Sequence, residues 1–280
     1  MISIVIPCLE DELYLPLTLK SIFGAHLPQQ EIEVFVVYGN CVTSPKSLEK
    51  FPIIELHGKF EKQADALNFG IAKTKGDLIC TTKPGCIVYP DWLIEIEKFF
   101  RNFPKTDGVC GPVFPATNFG TKIQRLASQI FSEESNFPST LVFLESDKFQ
   151  PFFHSTNNAF RRKVFGSVEY DNAYTYDFDW DISWKLLRMH YHLAFNPKIR
   201  ITYIFPSTLQ RVFRRYSSWG RDYSLLLKAY NIARLNYLVS PYYNMIVSFY
   251  NPTPAISEKK LLKLVQHVFY ILGRISSLSN

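Results

Sequence analysis

The chain has 280 residues, of which 47% are hydrophobic and 20% are charged, and this composition excludes a disordered or collagen-like protein. A chain of this length can bury a sizeable core in one large α/β domain or in two small ones. It contains no run of about 18 apolar residues, which argues against a membrane-spanning helix. The five cysteines form no C-x-x-C pair, so we expect reduced, buried thiols rather than disulfides or a zinc site. The opening residues lack a basic segment and predict no signal peptide.

Charge is distributed unevenly along the chain. Residues 1–181 contain 17 Lys and Arg against 23 Asp and Glu, whereas residues 182–280 contain 14 against 2. A segment this basic attracts anionic partners such as nucleotides, lipid headgroups or nucleic acid. A solvated basic surface with no partner is the alternative.

The first part of the chain alternates between apolar strands and helices. Runs of β-branched residues predict buried strands at 2–7, 31–38 and 78–82. Helical spacing predicts helices at 12–24 and 62–74, and a third helix that begins at 90–92. Apolar strands separated by helices are typical of a mostly parallel sheet with helices on both faces. Such sheets bind their ligands at the carboxyl ends of the strands.

The loops at these carboxyl ends, 7–11, 38–43 and 83–86, contain neither of two common phosphate-binding motifs. No G-x-G-x-x-G follows the first strand and no G-x-x-x-x-G-K-[ST] occurs, which excludes a dinucleotide fingerprint and a P-loop. The pattern is less regular after about residue 108. It predicts helices at 178–189 and 256–276, and a basic, aromatic segment at 209–235.

Four stretches, in collinear order, resemble the family 2 glycosyltransferases with the GT-A fold. They are S-I-V-I-P at 3–7, K-Q-A-D-A-L-N-F-G-I at 62–71, N-N-A-F-R-R at 157–162 and F-D-W-D-I-S-W-K-L at 178–186. The resemblance implies a Rossmann-like α/β fold, with a mostly parallel sheet sandwiched by helices. It also implies a domain over 1–225, with a nucleotide-sugar half at 1–110 and an acceptor half at 111–225. A basic helical C-terminal extension at 226–280 follows.

The resemblance identifies Asp179 as the catalytic residue. Asp179 stands where the family carries the aspartate that takes the proton from the acceptor hydroxyl as its oxygen attacks the anomeric carbon. The helix dipole at the start of a helix favours the ionised carboxylate. Phe178 replaces the glutamate that precedes this aspartate in the family. The alternative is that Asp177, Asp179 and Asp181 only cap the helix.

The chain departs from the family at the metal-binding motif. The family has a D-x-D motif that holds Mg²⁺ or Mn²⁺ against the donor diphosphate, whereas this chain has Lys83-Pro84-Gly85-Cys86. A protonated lysine cannot ligate a metal, so no metal-binding residue is assigned. Three interpretations stay open: Lys83 supplies the positive charge itself, the site is catalytically dead, or other residues hold a metal.

A second departure concerns the nucleotide base. The family has V-V-D-D-G-S, whose aspartate pairs with uracil or guanine, whereas this chain has Val-Val-Tyr-Gly-Asn at 36–40. Tyr38 can stack or donate a hydrogen bond but cannot replace the carboxylate. The resemblance implies that the donor is bound by Pro7, Leu9, Glu10, Tyr38, Asp65, Lys83 and Gly85. An exposed helix acid without a ligand is the alternative for Asp65.

The segment from Gln210 to Arg221 carries arginines and aromatic residues suited to phosphates and sugars. Guanidinium groups bind phosphate through two hydrogen bonds, and tryptophan stacks on sugar rings. The residues assigned to the diphosphate or the acceptor are Arg211, Arg214, Arg215, Trp219 and Arg221. A basic, amphipathic surface helix is the alternative.

These features predict an inverting glycosyltransferase that moves a sugar from a UDP- or GDP-linked donor to an acceptor hydroxyl. The acceptor would be a polysaccharide, a lipid-linked glycan or a protein glycan, which the resemblance alone implies. Lysines at the start of the final helix predict contact with an anionic membrane surface on the cytoplasmic side, and packing on the domain is the alternative. The other candidate functions are a catalytically degenerate scaffold and, against the absence of an RNA-binding signature, a nucleic-acid-binding protein.

Overall fold

A computed structural model describes residues 1–9, 12–40, 48–134, 137–144, 154–205, 208–230 and 258–276. The chain divides into two compact units whose segments alternate along the sequence. The first unit consists of Met1–Phe114, Phe137–Ala173 and Phe178–Tyr203, and the second of Pro115–Asn136, Tyr174–Asp177 and Ile204–Asn280. The division into 1–110, 111–225 and 226–280 stays a prediction.

Two sheets organise the strands. In chain order the strands are β1 (Ile2–Cys8), β2 (Ile32–Tyr38), β3 (Ile54–His57), β4 (Leu78–Thr81), β5 (Cys86–Val88), β6 (Gly108–Cys110), β7 (Val113–Pro115), β8 (Val142–Phe143), β9 (Asn158–Arg161), β10 (Leu193–Phe195) and β11 (Ile201–Tyr203). The large sheet has the order β3-β2-β1-β4-β9-β6-β10-β8, and the small sheet has the order β5-β11-β7.

The large sheet is parallel over β1 to β4, as the sequence predicts, and mixed over β6, β8, β9 and β10. β1 pairs in parallel with β2 and β4, and β2 pairs in parallel with β3. β9 inserts between β4 and β6 and is antiparallel to both. β10 is parallel to β6 and antiparallel to β8. The chain moves from β1 outward to β3 and then returns to β4, so the direction of winding reverses between β1 and β4.

Seven α-helices lie in the described residues. They are α1 (Leu15–Phe23), α2 (Gln63–Lys73), α3 (Trp92–Asn102), α4 (Lys122–Glu134), α5 (Phe178–Arg188), α6 (Leu209–Ala229) and α7 (Glu258–Ser276). α2 packs closely on the sheet because Gly70 leaves room for it: a Cβ at Gly70 would lie 2.7 Å from side-chain atoms of Val5 and Val37. The buried residues of β1 and β2 therefore form the core beneath α2.

The predicted strands and helices are confirmed with small shifts at their ends. The predicted helix at 12–24 begins as a 3-10 turn at Glu12–Tyr14 and becomes α1 at Leu15, where Pro16 lies in the first turn. Cys8, Cys80, Cys86 and Cys110 are buried and outside any disulfide, as expected, and Cys41 lies outside the described residues.

In the second unit, α6 and α7 pack against each other over much of their length. A Cβ at Gly220 would lie 1.9 Å from the carbonyl oxygen of Tyr270, and a Cβ at Gly273 would lie 1.8 Å from that of Ser217. The rings of Phe213 and Phe269 stack with centroids 4.6 Å apart. The two glycines therefore allow the helix backbones to touch. No helix in the described part of the chain has the length and apolarity needed to cross a membrane.

Candidate active site

The Pro84-Gly85 pair shapes the turn that follows β4. The N–H of Cys86 donates to the carbonyl of Lys83 at 3.1 Å, and Gly85 has φ +89°. Proline at the second position and glycine with positive φ at the third are the features of a type II turn. The N–H of Gly85 donates to Thr18 Oγ1 at 3.0 Å, which ties the turn to α1. Lys83 is thereby held at the carboxyl end of β4, beside the point where the direction of winding reverses.

The ammonium group of Lys83 interacts with Tyr203 and with Asp179. Lys83 Nζ lies 4.6 Å from the centroid of the Tyr203 ring, in cation–π geometry. It also interacts electrostatically with Asp179, in the first turn of α5. The structure therefore brings together two residues that the sequence assigns to the site, although 96 positions separate Lys83 and Asp179 in the chain.

The carboxylate of Asp179 is buried but hydrogen-bonded. Its Oδ2 accepts from the N–H of Ser155 at 2.8 Å. Burial raises the pKa of Asp179 from 3.8 to about 7, against the lowering effects of the Ser155 N–H and of Lys83. A carboxylate whose pKa lies near neutrality changes protonation state in the pH range where cells operate, which suits a general base.

The segment that carries Ser155 is fixed by an array of buried amides. Asn157 Nδ2 donates to the carbonyls of Pro112 and Ile199, at 3.0 and 2.8 Å, and its Oδ1 accepts from Trp92 Nε1 at 2.8 Å. Asn158 Oδ1 lies 2.6 Å from Thr81 Oγ1, in register across β4 and β9. These bonds hold the Ser155 N–H against Asp179.

The neighbouring aspartate has a different partner. Asp181 Oδ2 lies 2.6 Å from Lys185 Nζ, one helical turn away, and Lys185 also lies 3.2 Å from Asp171 Oδ2. The Asp181 carboxylate therefore pairs with Lys185, whereas Asp179 accepts from the Ser155 N–H and interacts electrostatically with Lys83. The choice of Asp179 over Asp181 as the catalytic residue stays a prediction.

The predicted arginines lie in the second unit, on α6. Arg215 is buried, and its guanidinium carbon lies 5.3–5.6 Å from the ring centroids of Tyr176, Phe205 and Trp219. Arg214 is exposed and Arg211 is half-buried. Arg215 and Trp219 contact each other and neighbouring aromatic residues. The assignment of Arg211, Arg214, Arg215, Trp219 and Arg221 to the diphosphate or acceptor stays a prediction.

Asp222 organises the same part of the second unit, and the sequence analysis did not single it out. It is fully buried, and its Oδ2 accepts from the N–H groups of Thr175, Tyr176 and Asp177 at 2.6, 2.7 and 3.4 Å. Arg221 donates to its other oxygen from Nη2 at 2.9 Å and also hydrogen-bonds to Thr175 Oγ1. The sequence did offer a sign of its role, because Asp222 is one of only two acidic residues in the basic segment 182–280.

The other residues predicted to bind the donor lie at different places in the first unit. Pro7 and Leu9 lie at the carboxyl end of β1, in the region where a sheet of this kind binds ligands. Asp65, in the first turn of α2, accepts from Asn172 Nδ2 at 3.0 Å. Glu10 lies outside the described residues. The sequence analysis missed Ser155, which donates to Asp179, and Tyr203, whose ring lies against Lys83. The role of Ser155 rests on a backbone N–H, which no side-chain motif reveals.

Comparison with known proteins identifies the family. The model of "Glycosyl transferase family 2" matches residues 3–168, and that of "Glycosyl transferase family group 2" matches residues 87–278. A Methanococcus voltae protein named dolichyl N-acetyl-alpha-D-glucosaminyl phosphate 3-beta-D-2,3-diacetamido-2,3-dideoxy-beta-D-glucuronosyltransferase is 22% identical over 255 residues. The match covers 81% of this chain and 74% of that protein.

Solved structures share the fold. The mannosyltransferase PcManGT from Pyrobaculum calidifontis, in complex with GDP-Man and Mn²⁺, superposes with a TM-score of 0.68 at 14% identity, over 99% of this chain and 86% of that one. S. aureus TarS 1–349 in complex with UDP-GlcNAc superposes with a TM-score of 0.56 at 11% identity, over 99% of this chain and 90% of that one. These likenesses confirm the GT-A fold. Because the first family model spans more than half of the chain, the protein belongs to glycosyl transferase family 2 and is an inverting glycosyltransferase.

Proposed function

We propose that the protein transfers a sugar from a nucleoside-diphosphate donor with Asp179 as general base and Lys83 as the cation that stabilises the leaving diphosphate. The acceptor oxygen attacks the anomeric carbon while Asp179 takes its proton. The bond from the anomeric carbon to the diphosphate oxygen breaks, and the diphosphate leaves with the electron pair. The observation that carries this proposal is the electrostatic pairing of Lys83 with a buried Asp179 in the first unit.

The residues at the family's metal position do not fit a divalent cation. The turn that replaces D-x-D presents an ammonium group, a proline and a glycine, none of which offers the carboxylate oxygen that Mg²⁺ or Mn²⁺ requires. Within the described residues no group of three or more His, Cys, Asp and Glu side chains is placed to hold a metal. We therefore assign to Lys83 the charge that Mn²⁺ brings to PcManGT, and we derive no step through a metal.

A non-catalytic scaffold is not favoured. The family model matches more than half of the chain, and the M. voltae relative and PcManGT are both named as glycosyltransferases. The buried carboxylate adds a physical argument. Burial raises the pKa of Asp179 to about 7 although Lys83 lowers it, and ionisable groups with strongly shifted pKa values concentrate at sites of chemistry.

Calorimetry in the presence and absence of a chelator tests whether Lys83 replaces the metal ion in donor binding. UDP-GlcNAc and GDP-Man are titrated into the protein with Mn²⁺ and then with EDTA. We expect donor binding to survive EDTA and to weaken at least about ten-fold in Lys83→Ala, because an ion pair to phosphate is lost. Lys98→Ala is the matched control, since Lys98 is exposed and pairs with Glu95 on the surface of α3. Donor binding that disappears with EDTA and returns with Mn²⁺ would overturn the metal-independent mechanism.

We propose further that the acceptor is lipid-linked and that α7 lies on an anionic membrane surface on the cytoplasmic side. The named M. voltae relative acts on a dolichyl-linked sugar phosphate. On α7, the side chains of Val268, Ile271, Leu272 and Ile275 form one stripe and are 41–56% exposed. The opposite face packs on α6 through Phe269 and Gly273. An exposed apolar stripe within a basic segment suits the headgroup region of anionic lipids.

Vesicle sedimentation tests the membrane contact. We expect binding to vesicles that contain phosphatidylglycerol, weaker binding to pure phosphatidylcholine, and a decrease with salt. The double variant Ile271→Ser/Ile275→Ser should lose most of the binding, because burying each isoleucine contributes roughly 1.5–3 kcal/mol. Leu27→Ser is the matched control, since Leu27 is an exposed leucine of the first unit. Equal binding by the double variant and the wild type would refute this role of α7.

A further inference from the structure

The hydroxyl of Thr81, the final residue of β4, lies in a buried polar cluster. Thr81 has no exposed surface, and its Oγ1 donates to the Ser155 carbonyl at 2.5 Å. The same oxygen lies 2.6 Å from Asn158 Oδ1, and Asn158 Nδ2 donates to the His154 carbonyl at 3.1 Å. The Thr81 side chain therefore holds the backbone of the segment that leads into β9.

The cluster contains more acceptors than the hydroxyl of Thr81 alone can serve. A threonine hydroxyl carries one proton, whereas the Ser155 carbonyl and Asn158 Oδ1 both accept. The buried Tyr170 hydroxyl lies beside Thr81 and Asn158 and makes no hydrogen bond to any other described residue. The Asn68 side chain fixes the Tyr170 backbone through two hydrogen bonds, at 2.8 and 3.0 Å. Tyr170 is therefore placed to supply a second proton to the cluster.

The backbone of Ser155 is held from two sides. Its carbonyl accepts from Thr81 on β4, and its N–H donates to Asp179 Oδ2 on α5 at 2.8 Å. Thr81 also lies two positions before Lys83 in the chain. A short path of covalent and hydrogen bonds, through Thr81 and Ser155, thus connects the two charged residues of the site. Reacting groups need such support, because a small misplacement lowers the rate of transfer.

Titratable side chains from three other elements interact with Asp179. They are Lys83 after β4, Cys110 at the end of β6 and Tyr170 before α5, and α5 itself carries the Asp181–Lys185 ion pair. Burial and the charge of Asp179 raise the pKa of the Cys110 thiol and of the Tyr170 hydroxyl, so both stay neutral. Burial raises the pKa of Asp179, and the Ser155 N–H and Lys83 lower it. A displacement of Ser155 should therefore be visible in the titration of Asp179.

We infer that Thr81 is a positioning residue for the general base: its hydroxyl holds the Ser155 backbone so that the N–H reaches Asp179. This inference rests on the proposed function, in which Asp179 takes the proton of the acceptor. A hydrogen bond to a carboxylate favours its ionised form. Without the Thr81 hydroxyl, the buried Ser155 carbonyl loses its donor, the bond from the N–H to Asp179 loosens, and Asp179 becomes harder to ionise. Thr81 thereby acts on the proton transfer without contact with the substrate.

Carbon-13 NMR of the aspartate carboxyl groups tests the inference without any substrate. The signal of Asp179 is identified by its absence in Asp179→Asn, and its titration is followed in the wild type and in variants of Thr81. We expect Thr81→Val to raise the titration midpoint from about 7 by at least about half a pH unit. Complete loss of a hydrogen bond to a charged group would correspond to about one pH unit or more. Thr81→Ser keeps the hydroxyl and should restore the wild-type midpoint.

Thr74→Val is the matched control. The Thr74 hydroxyl is also buried and donates to the Ile71 carbonyl at 2.7 Å, but Thr74 lies between α2 and the amino end of β4. We expect Thr74→Val and Thr81→Val both to unfold at lower urea concentration, and only Thr81→Val to move the titration of Asp179. An unchanged midpoint in Thr81→Val, or an equal shift in Thr81→Ser or in Thr74→Val, would overturn the inference.

The outcomes separate this inference from the proposed function. If Asp179→Asn loses transfer and Thr81→Val leaves the titration of Asp179 in place, the general base stands and the positioning role of Thr81 is refuted. If Asp179→Asn retains transfer, Asp179 is not the base and the proposed function fails, whatever the titration in Thr81→Val. A wild-type signal of Asp179 that does not titrate near pH 7 would refute the positioning role as well, because the buried site would then not control this carboxylate.

Discussion

Replacing Asp179 by asparagine should abolish transfer and at the same time stabilise the protein at alkaline pH. The pKa of Asp179 rises from 3.8 to about 7 because burial removes water from the carboxylate. Each pKa unit corresponds to about 1.4 kcal/mol, so ionising this group costs about 4 kcal/mol more in the folded protein than in the unfolded chain. Asparagine keeps the oxygen that accepts from the Ser155 N–H and never ionises.

The sign of the pH dependence follows from the direction of the shift. Below the unfolded pKa the carboxyl is protonated in both states, and Asp179 costs nothing. As the pH rises to the folded pKa, only the unfolded chain loses its proton, and the wild type loses stability until about pH 7. Between about pH 5 and about pH 8, the advantage of Asp179→Asn in unfolding free energy should therefore grow by about 3 kcal/mol.

Urea unfolding at the two pH values measures this advantage, and a transfer assay across the same range measures catalysis. The wild-type rate should rise with pH with a midpoint near 7, because the base must be ionised to accept a proton. Asp181→Asn is the control, because it breaks the ion pair with Lys185 and should destabilise the protein at both pH values. An Asp179→Asn advantage that does not change with pH, or a variant that retains transfer, would refute the reasoning.

Three further substitutions test the architecture. Gly85→Ala should cost about 1–2 kcal/mol in urea unfolding, because φ +89° is unfavourable for any residue with a Cβ, whereas Gly166→Ala, with nothing within 4 Å of its Cβ, should be close to neutral. Asp222→Ala should lower the unfolding free energy by about 3 kcal/mol or more, because it leaves buried N–H groups without an acceptor; Asp222→Asn should recover part of this loss, and equal losses would contradict that account. Gly273→Leu should separate α7 from α6, because its Cβ would lie 1.8 Å from the Ser217 carbonyl oxygen, and limited proteolysis should then release α7.

Single strands and turns were predictable from the sequence because each depends on a short run of neighbouring residues. β1 and β2 are mostly apolar runs, each with one polar residue (Ser3 and Glu33), and the structure buries every residue of β1. The Pro84-Gly85 pair indicates a turn after β4 by the same kind of rule. The insertion of β9 between β4 and β6 was not predictable, since β9 has four residues and its pairing depends on partners about 50 and 80 positions away.

The candidate site shows the same division between local and distant information. The sequence identified Asp179 because it lies in the family-like stretch at 178–186. It identified Lys83 because that residue stands where the family has its D-x-D motif. Their proximity, and the Ser155 N–H that completes the site, depend on how α5, β4 and the segment before β9 are brought together.

In the proposed mechanism the charge of Lys83 acts on both the leaving diphosphate and the general base, Asp179. The charge of Lys83 lowers the pKa of Asp179 and so opposes the effect of burial. Removing that charge in Lys83→Ala should therefore raise the pKa of Asp179 and move the rise of the pH–rate profile to higher pH, in addition to weakening donor binding. Lys83→Arg keeps the charge and should leave the midpoint near that of the wild type. A profile measured at saturating donor separates the two effects, since weaker binding alone changes KM and leaves the midpoint in place. A Lys83→Ala midpoint equal to that of the wild type would mean that Lys83 acts on the diphosphate alone.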